Sequence, residues 1–174
     1  EGAPDNLVRV LVHNREAILF GTETTEFWYV SGNANFPMAR VQGSFIEEGL
    51  AARHSAVKCG DTVAWLGTSK NGNSTVWMLN GYRPVPISTN AISYAISKWA
   101  TKDDAYAFFY KQEDHAFYVL TSPSANETWC YDFSTGLWHE RAYLDSSGNF
   151  TRIRPIVHCH FNNQTLVGDR SEER

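Results

Sequence analysis

Short apolar runs alternate with polar turns along the chain, and the runs come in pairs. In each pair an apolar run leads through a turn rich in Gly, Asn or Ser into a second run that contains a central Trp. The pairs lie at residues 17–32, 63–81 and 117–132, and the turn of the second pair falls at residues 70–73. Two apolar runs joined by such a turn predict a β-hairpin. We therefore expect a chain built from repeated hairpins.

The spacing of the central tryptophans gives the length of the repeat. Trp28 and Trp77 are 49 positions apart, Trp77 and Trp129 are 52 apart, and a partial fourth copy covers residues 164–169. A period of ~40–50 residues built from hairpins is typical of β-propeller blades with four strands each. The predicted fold is all-β, a β-propeller-like array of about three four-stranded blades plus a partial fourth, in a single domain. The approximate units are residues 1–49, 50–99, 100–145 and 146–174.

The third unit has the most complete strand pattern. Its four strands are predicted at residues 105–110, 115–121, 127–133 and 137–142. In its last turn we expect Asp132 to accept hydrogen bonds from backbone amides, Gly136 to supply a positive φ and Trp138 to cover the hairpin.

One segment between the second and third units has a helical pattern. An i, i+3, i+4, i+7 spacing is formed by Ile92, Ala95, Ile96 and Trp99. This spacing predicts one short amphipathic helix between blades. Its N-cap is expected at Ser88, Thr89 or Asn90.

Composition and charge narrow the function classes. Trp, Tyr and Phe make up 14% of the chain, which suits strands because flat rings pack well on a pleated surface. Lys and Arg number 15 against 19 Asp and Glu, a net charge of −4. This balance argues against a DNA reader, whose affinity depends on a basic surface. No apolar run approaches the ~18 residues of a membrane-spanning helix, and three widely spaced cysteines indicate a reducing compartment.

Candidate metal and cofactor residues are few. The stretch 158–160 (HCH) places two imidazoles on one strand face, but a tetrahedral site needs three or four ligands. We therefore expect no metal, with the histidines pointing off a strand whose other face buries Cys159. Several glycines end strands at repeated places, which indicates a structural role in turns. We therefore expect no phosphate-binding loop and no cofactor.

Carboxylates in turns leave a second function open. The candidates are Glu47, Glu48, Asp103, Asp104, Glu113, Asp114 and Asp132. Glycoside cleavage needs two opposed carboxylates in one pocket, whereas acids in turns are usually solvated. We predict no catalytic residue, and the alternative function is a propeller carbohydrate-binding module or glycoside-active enzyme.

Two sets of residues are predicted to have structural or binding roles. The repeat core is assigned to Trp28, Trp77, Trp129 and Trp138, because large aromatic side chains dominate core burial. The long connection from residue 32 to residue 49 is the preferred contact region. Its candidate residues are Asn33, Asn35, Phe36, Arg40 and Gln42. The alternative is that this connection packs on its own blade.

Several stretches, taken in order, resemble one family. They are residues 20–22, 25–37, 39–47, 77–84, 87–92, 138–142 and 166–169. Together they are similar to the packaged-DNA stabilisation proteins of short-tailed phages, which form the tail hub below the portal. The similarity runs from about Arg15 to Asp169.

The resemblance implies a structural virion protein and not an enzyme. Such a hub is a β-propeller present in several copies around the tail channel, and it joins the portal-side adaptor to the needle or spikes. Its assembly closes the exit and retains packaged DNA, which it contacts only indirectly. The implied location is the virion tail, with assembly in the bacterial host cytoplasm and no membrane contact. Family members are longer, so we expect a fragment whose open row of blades self-associates.

Overall fold

The computed structural model describes residues 4–68, 74–162 and 164–169. These residues form short strands and one helix, and the strands pair antiparallel in a succession of small sheets. The turn predicted at residues 70–73 lies outside the described residues.

The first sheet, here called the first blade, has four strands in sequential order. They are β1 (Leu7–His13), β2 (Glu16–Gly21), β3 (Thr25–Val30) and β4 (Met38–Arg40). Asn14 and Arg15 make the β1–β2 turn with φ angles of 49° and 66°, the left-handed pair that a two-residue hairpin turn requires. The sequence predicted β2 and β3, whereas β1 and β4 are found only in the structure.

The second blade has five strands where four were predicted. They are β5 (Gly49–Leu50), β6 (Val57–Cys59), β7 (Thr62–Thr68), β8 (Ser74–Asn80) and β9 (Arg83–Pro86). Both β5 and β6 pair with β7, because residues 51–56 interrupt the strand that would run along it. The Ser55 hydroxyl accepts the backbone N–H of Leu66 at 3.1 Å, so a side chain replaces the missing backbone partner.

The third blade confirms the predicted four strands to within two residues at each end. They are β10 (Tyr106–Gln112), β11 (His115–Ser122), β12 (Glu127–Asp132) and β13 (Leu137–Glu140). The last turn also forms as expected. Asp132 accepts the backbone N–H of Ser134 at 2.9 Å, Gly136 has a φ of 71°, and the Trp138 ring packs on Tyr131 across the hairpin with centroids 5.2 Å apart. The Trp138 indole also donates to the Ile87 carbonyl, on the side of the second blade, at 2.7 Å.

The predicted helix is confirmed as α1 (Asn90–Ser97), between the second and third blades. Thr89 is its N-cap, and the Thr89 hydroxyl accepts the Ile92 N–H at 3.3 Å. Ile92 and Ile96 are buried against both blades. In the described part of the chain, no helix has the length and apolarity needed to cross a membrane.

The predicted partial fourth blade is two separate hairpins, here called the terminal hairpins. Their strands are β14 (Ala142–Leu144) with β15 (Phe150–Arg152), and β16 (Val157–Phe161) with β17 (Gln164–Gly168). Pro155 lies between the two hairpins. Proline has no N–H to donate to a ladder, which is consistent with the break between the two pairs.

The core fills the spaces between successive sheets. One cluster, including Phe20, Phe27 and Trp65, packs the first blade on the second. Another, including Leu66 and Leu120, packs the second blade and α1 on the third. Blades stacked face to face in this way are typical of a β-propeller, and the described sheets do not close into a ring.

Candidate interaction surfaces

The first blade exposes an apolar face. Alternate side chains of a strand point to opposite faces, so the register places one set toward the second blade and the other set outward. We call the outward set the outer face of the first blade: Leu7, Val10, Val12, Leu19, Trp28 and Val30. Val12 is 56% exposed and Val30 is 69% exposed. A monomeric protein rarely leaves so many neighbouring apolar side chains uncovered, so this face is a candidate contact surface.

A shallow cavity of about 220 Å³ lies on this outer face. Leu7, Leu19, Trp28 and the buried carboxylate of Glu26 line it. The Trp28 indole donates to Glu26 Oε2 at 2.9 Å, and the Arg40 guanidinium is paired with Glu26 Oε1 at 3.4 Å. The Arg40 guanidinium therefore neutralises the charge of Glu26. The rest of the cavity wall is mainly apolar.

The predicted contact region divides into three places. Asn33, Asn35 and Phe36 lie in the exposed β3–β4 loop, where Ser31 N–H bonds the Pro37 carbonyl at 2.7 Å and Asn35 N–H bonds the Asn33 side chain at 3.0 Å. Arg40 belongs to β4, on the outer face beside Trp28. Gln42 is exposed in the next turn.

The structure brings Phe36 and Arg40 of this region close to Trp28, which the sequence assigned to the repeat core. The rings of Trp28 and Phe36 meet edge to face with centroids 6.1 Å apart, and Arg40 reaches Glu26 beside Trp28. The contact role of this connection stays a prediction. Part of it packs on its own blade, and Phe36, at 58% exposed, extends the apolar outer face.

The four tryptophans assigned to the repeat core are half-buried. Trp77 packs on the cluster between the first two blades, and Trp129 and Trp138 pack on the cluster between the second and third. Trp28 lies on the outer face. The fully buried indoles are instead Trp65 and Trp99, which are 1% and 3% exposed. Trp77, Trp129 and Trp138 thus each border a core cluster, whereas Trp28 lies outside the core clusters of the described residues.

A glutamate two residues before the tryptophan recurs in the first and third blades, and sequence reasoning missed it. Glu26 accepts from Trp28 as described, and Glu127 accepts from Trp129 at 3.2 Å and from Trp99 at 2.8 Å. Residues two apart on a strand share a face, so the spacing Glu-x-Trp was the available signal. The indole N–H is satisfied locally, which leaves the ring itself for packing.

The face of the third blade turned away from the second blade carries aromatic and cationic side chains. His115 Nδ1 lies 2.7 Å from Asp132 Oδ2, and the His115 ring stacks on Phe117 with centroids 5.7 Å apart. Burial raises the pKa of Asp132, but hydrogen bonds from Ser134, His115 and Thr135 outweigh it and hold that pKa below its usual value. Asp132 is therefore an ionised structural acid in a turn.

The carboxylates considered for catalysis are spread over different turns. Asp104 accepts the Ser124 N–H at 2.8 Å, and Glu113 and Asp114 form the β10–β11 turn with positive φ. Desolvation and the neighbouring Glu47 raise the pKa of Glu48. Asp104 and Asp132 accept hydrogen bonds from nearby backbone N–H groups and so hold loops together. The sequence predicted solvated acids in turns, and the structure adds these hydrogen bonds.

The 158–160 stretch differs from its predicted placement. His158 packs against the Phe108 ring at 5.6 Å, whereas Cys159 is exposed. Burial lowers the pKa of His158. The prediction that Cys159 faces the core was wrong, because the apolar ring of Phe108 meets the histidine face of β16. Within residues 4–68, 74–162 and 164–169, no three His, Cys, Asp or Glu side chains are grouped to hold a metal ion.

A comparison with known protein families matches the whole chain to one of them. The family described as "Bacteriophage P22 Gp10, beta-propeller" matches residues 1–174, the whole chain. No curated protein matches it. Both the stacked antiparallel sheets and the phage-like stretches of sequence agree with this match. The chain therefore belongs to the phage DNA-stabilisation tail proteins of the P22 Gp10 β-propeller family.

Proposed function

We propose that this protein is a structural part of the phage tail hub that closes the portal channel after DNA packaging. In this role it connects the portal-side adaptor to the needle or spikes and stabilises the packaged DNA. The observation that carries the proposal is the family match over residues 1–174. This role requires rigid contact surfaces and does not require a reactive centre. Of the acids considered for catalysis, Asp104 and Asp132 hold turns.

Exposed apolar surface at both ends of the row supports a role in assembly. The outer face of the first blade lies at one end. At the other end, the terminal hairpins expose Phe150 at 77% and Phe161 at 69%. Exposed apolar patches of this kind mark protein–protein contacts. We infer that several copies surround the tail channel, with the outer face of one copy against the terminal hairpins of the next.

The net charge of −4 supports indirect contact with DNA. A surface with more carboxylates than cations releases few counterions from phosphate and so gains little affinity for DNA. Retention of DNA is then mechanical, through closure of the channel. The proposed location is the virion tail, with assembly in the host cytoplasm.

DNA retention by purified particles tests the hub role. Protein is added to DNA-filled portal–adaptor particles that lack it, and nuclease-sensitive DNA is measured with time. We expect binding and protection from nuclease. Absence of binding, or binding without retention of DNA, would overturn the proposal.

Two end variants and one control variant test the contact between copies. Val12→Glu and Phe150→Glu each place a charge at one end of the row, and Tyr94→Glu places one on α1, where Tyr94 is 64% exposed. A head-to-tail contact uses two different patches. By sedimentation, we expect wild type and Tyr94→Glu to associate and each end variant alone to be monomeric. A mixture of the two end variants should form dimers. A monomeric wild type at all concentrations would contradict the inferred ring while leaving the hub role standing.

A further inference from the structure

A cleft of about 670 Å³ runs between β10 of the third blade and the β16–β17 hairpin. Among the described residues, its charged lining consists of Lys111 and Arg141, with His160 in the same lining, and no Asp or Glu contributes. The chain as a whole has 19 acidic residues against 15 Lys and Arg. The cleft therefore carries local positive charge on an acidic protein.

Arg141 is held in place by the third blade. Its Nε donates to His139 Nε2 at 3.0 Å, and one Nη donates to the hydroxyl of Tyr110. The guanidinium carbon lies 4.7 Å from the Phe117 ring centroid and 5.5 Å from that of Tyr110. Desolvation and the charge of Arg141 lower the pKa of His139, which keeps that imidazole neutral and able to accept the bond. The guanidinium is thus oriented before any ligand arrives.

Arg141 has no carboxylate partner in the described part of the chain. The ion pairs found there, within 4.0 Å, join Arg40 to Glu26 and His115 to Asp132. An arginine has five N–H donors, and Arg141 uses two of them in the bonds above. The remaining N–H groups of Arg141 can donate to a carboxylate. The guanidinium is already oriented, so little conformational freedom is lost when that bond forms.

The rest of the lining indicates what carries the carboxylate. Ile153 and Leu166 supply apolar wall, and the side-chain amides of Gln112 and Gln164 match the polar groups of a peptide backbone. β10 is an edge strand, and in the described residues its second edge is paired only near Tyr106, with His54. An extended peptide can add to such an edge. Nucleic acid is disfavoured, because two cations neutralise few phosphates.

We propose that this cleft binds an extended acidic segment of a partner polypeptide, whose carboxylates meet Arg141 and Lys111 and whose apolar side chains meet Ile153 and Leu166. The segment lies along β10. The site is separate from the outer face of the first blade and does not depend on the tail-hub role.

Fluorescence anisotropy with a defined peptide tests the proposal. The probe is a labelled twelve-residue peptide that alternates Glu with Val, blocked at both ends, and its control has Gln in place of each Glu. We expect the Glu peptide to bind and the Gln peptide to bind at least about tenfold more weakly, as expected for charge-assisted bonds. Salt should weaken the Glu peptide selectively.

Variants place the binding in the cleft. Arg141→Gln and Lys111→Gln should each weaken the Glu peptide, whereas Arg83→Gln, an exposed arginine of β9, should not. Lys111 is itself exposed, so its variant keeps the fold even if Arg141→Gln does not. No binding of the Glu peptide, equal binding of the two peptides, or unchanged binding by both variants would overturn the proposal. Tighter binding of a twelve-nucleotide single-stranded DNA at the same residues would overturn it in favour of nucleic acid.

Discussion

The first and third blades are built alike and are covered differently. Each is a four-stranded antiparallel sheet in sequential order. The third blade is packed on both faces, with Leu120 in the cluster toward the second blade and Val119 in the cluster on the opposite face, each fully buried. In the part of the chain that the structure describes, the first blade is packed on one face only. Val12, which occupies the uncovered face, is 56% exposed.

The difference shows that a blade face is buried by the elements packed against it and not by the sheet itself. β1 reads as a nearly continuous apolar run, LVRVLVH, a pattern typical of strands that are covered on both sides. Leu11 from this run is buried against the second blade, and Val10 and Val12 point outward. β1 therefore has the composition of a covered strand, although its outward side chains are exposed.

Thiol reactivity is expected to show the largest contrast between covered and uncovered regions. Cys130 lies on the covered outer face of the third blade, and Cys159 is exposed in a terminal hairpin. Burial raises the pKa of Cys130 to about 11, an effect that the Arg141 charge partly opposes. Because labelling of Cys130 requires local opening, we expect it to react at least ~100-fold more slowly than Cys159.

Labelling with a thiol reagent, followed by mass spectrometry of the peptides, checks this. Cys59 serves as a second buried reference, since burial raises its pKa to about 12. In denaturant all three thiols should react at similar rates. Fast native labelling of Cys130 would mean that the terminal hairpins do not cover the third blade.

Truncation of a side chain on each outer face should separate the two blades energetically. Phe108 is 8% exposed and touches His158 of β16, so Phe108→Ala leaves a cavity and should lower the free energy of unfolding by about 3–5 kcal/mol. Val12→Ala on the first blade should change it by less than about 0.5 kcal/mol. Urea unfolding of both variants measures the difference. Equal losses would show that the outer face of the first blade is also buried in solution.

The repeat and the third blade were predictable from sequence because their signals are local. Apolar runs, the Asp132–Gly136 turn and the i, i+3, i+4, i+7 helix spacing each lie within about ten residues. The predicted family and all-β propeller class are confirmed by the match over the whole chain. These features depend on chemistry that a short stretch of chain carries by itself.

The remaining features depend on contacts between distant residues. In the second blade, residues 51–56 separate β5 from β6, and Ser55 bonds Leu66 in the gap. The exposure of Cys159 follows from His158 meeting Phe108. No local pattern reports either contact. The contact region was predicted as one loop, but Arg40 joins the outer face through Glu26, a pairing across 14 positions. The Arg141 cleft was missed for the same reason.

Two aspartates hold turns in the compared blades, and the one in the first blade is expected to matter more. Asp5 accepts the backbone N–H groups of Thr22, Glu23 and Thr24 at 3.0, 2.9 and 2.8 Å. Burial raises its pKa, but hydrogen bonds from the Thr22 hydroxyl, the Glu23 N–H and the hydroxyl and N–H of Thr24 outweigh that effect and hold the pKa well below its usual value. Asp5→Asn should destabilise the protein by about 1–3 kcal/mol at pH 7, the cost of weakened bonds to a charged group.

The pH dependence of that loss has a definite sign. A carboxyl whose folded pKa is depressed stabilises the fold above its ordinary pKa of 3.8, and the contribution disappears as the pH falls through the folded value. The difference between wild type and Asp5→Asn should therefore shrink below pH 3.8. Asp132→Asn should behave in the same direction with a smaller effect, because Asp132 accepts one backbone N–H in its turn. A difference that grows on acidification would contradict the assignment.

The smallest expected effect concerns α1, which helps to cover the third blade on the side of the second. Among the described elements, no helix covers the outer face of the first blade. Thr89→Ala removes the hydroxyl that accepts the Ile92 N–H and should cost about 1 kcal/mol, while Thr89→Ser should retain the cap. Because Ile92 and Ile96 pack in the same cluster as Leu120, hydrogen exchange should accelerate in α1 and β11 and stay unchanged in β1 and β2. Acceleration in all four elements would show that the blades unfold as one unit. In that case the contrast between them lies in their covering and not in their local stability.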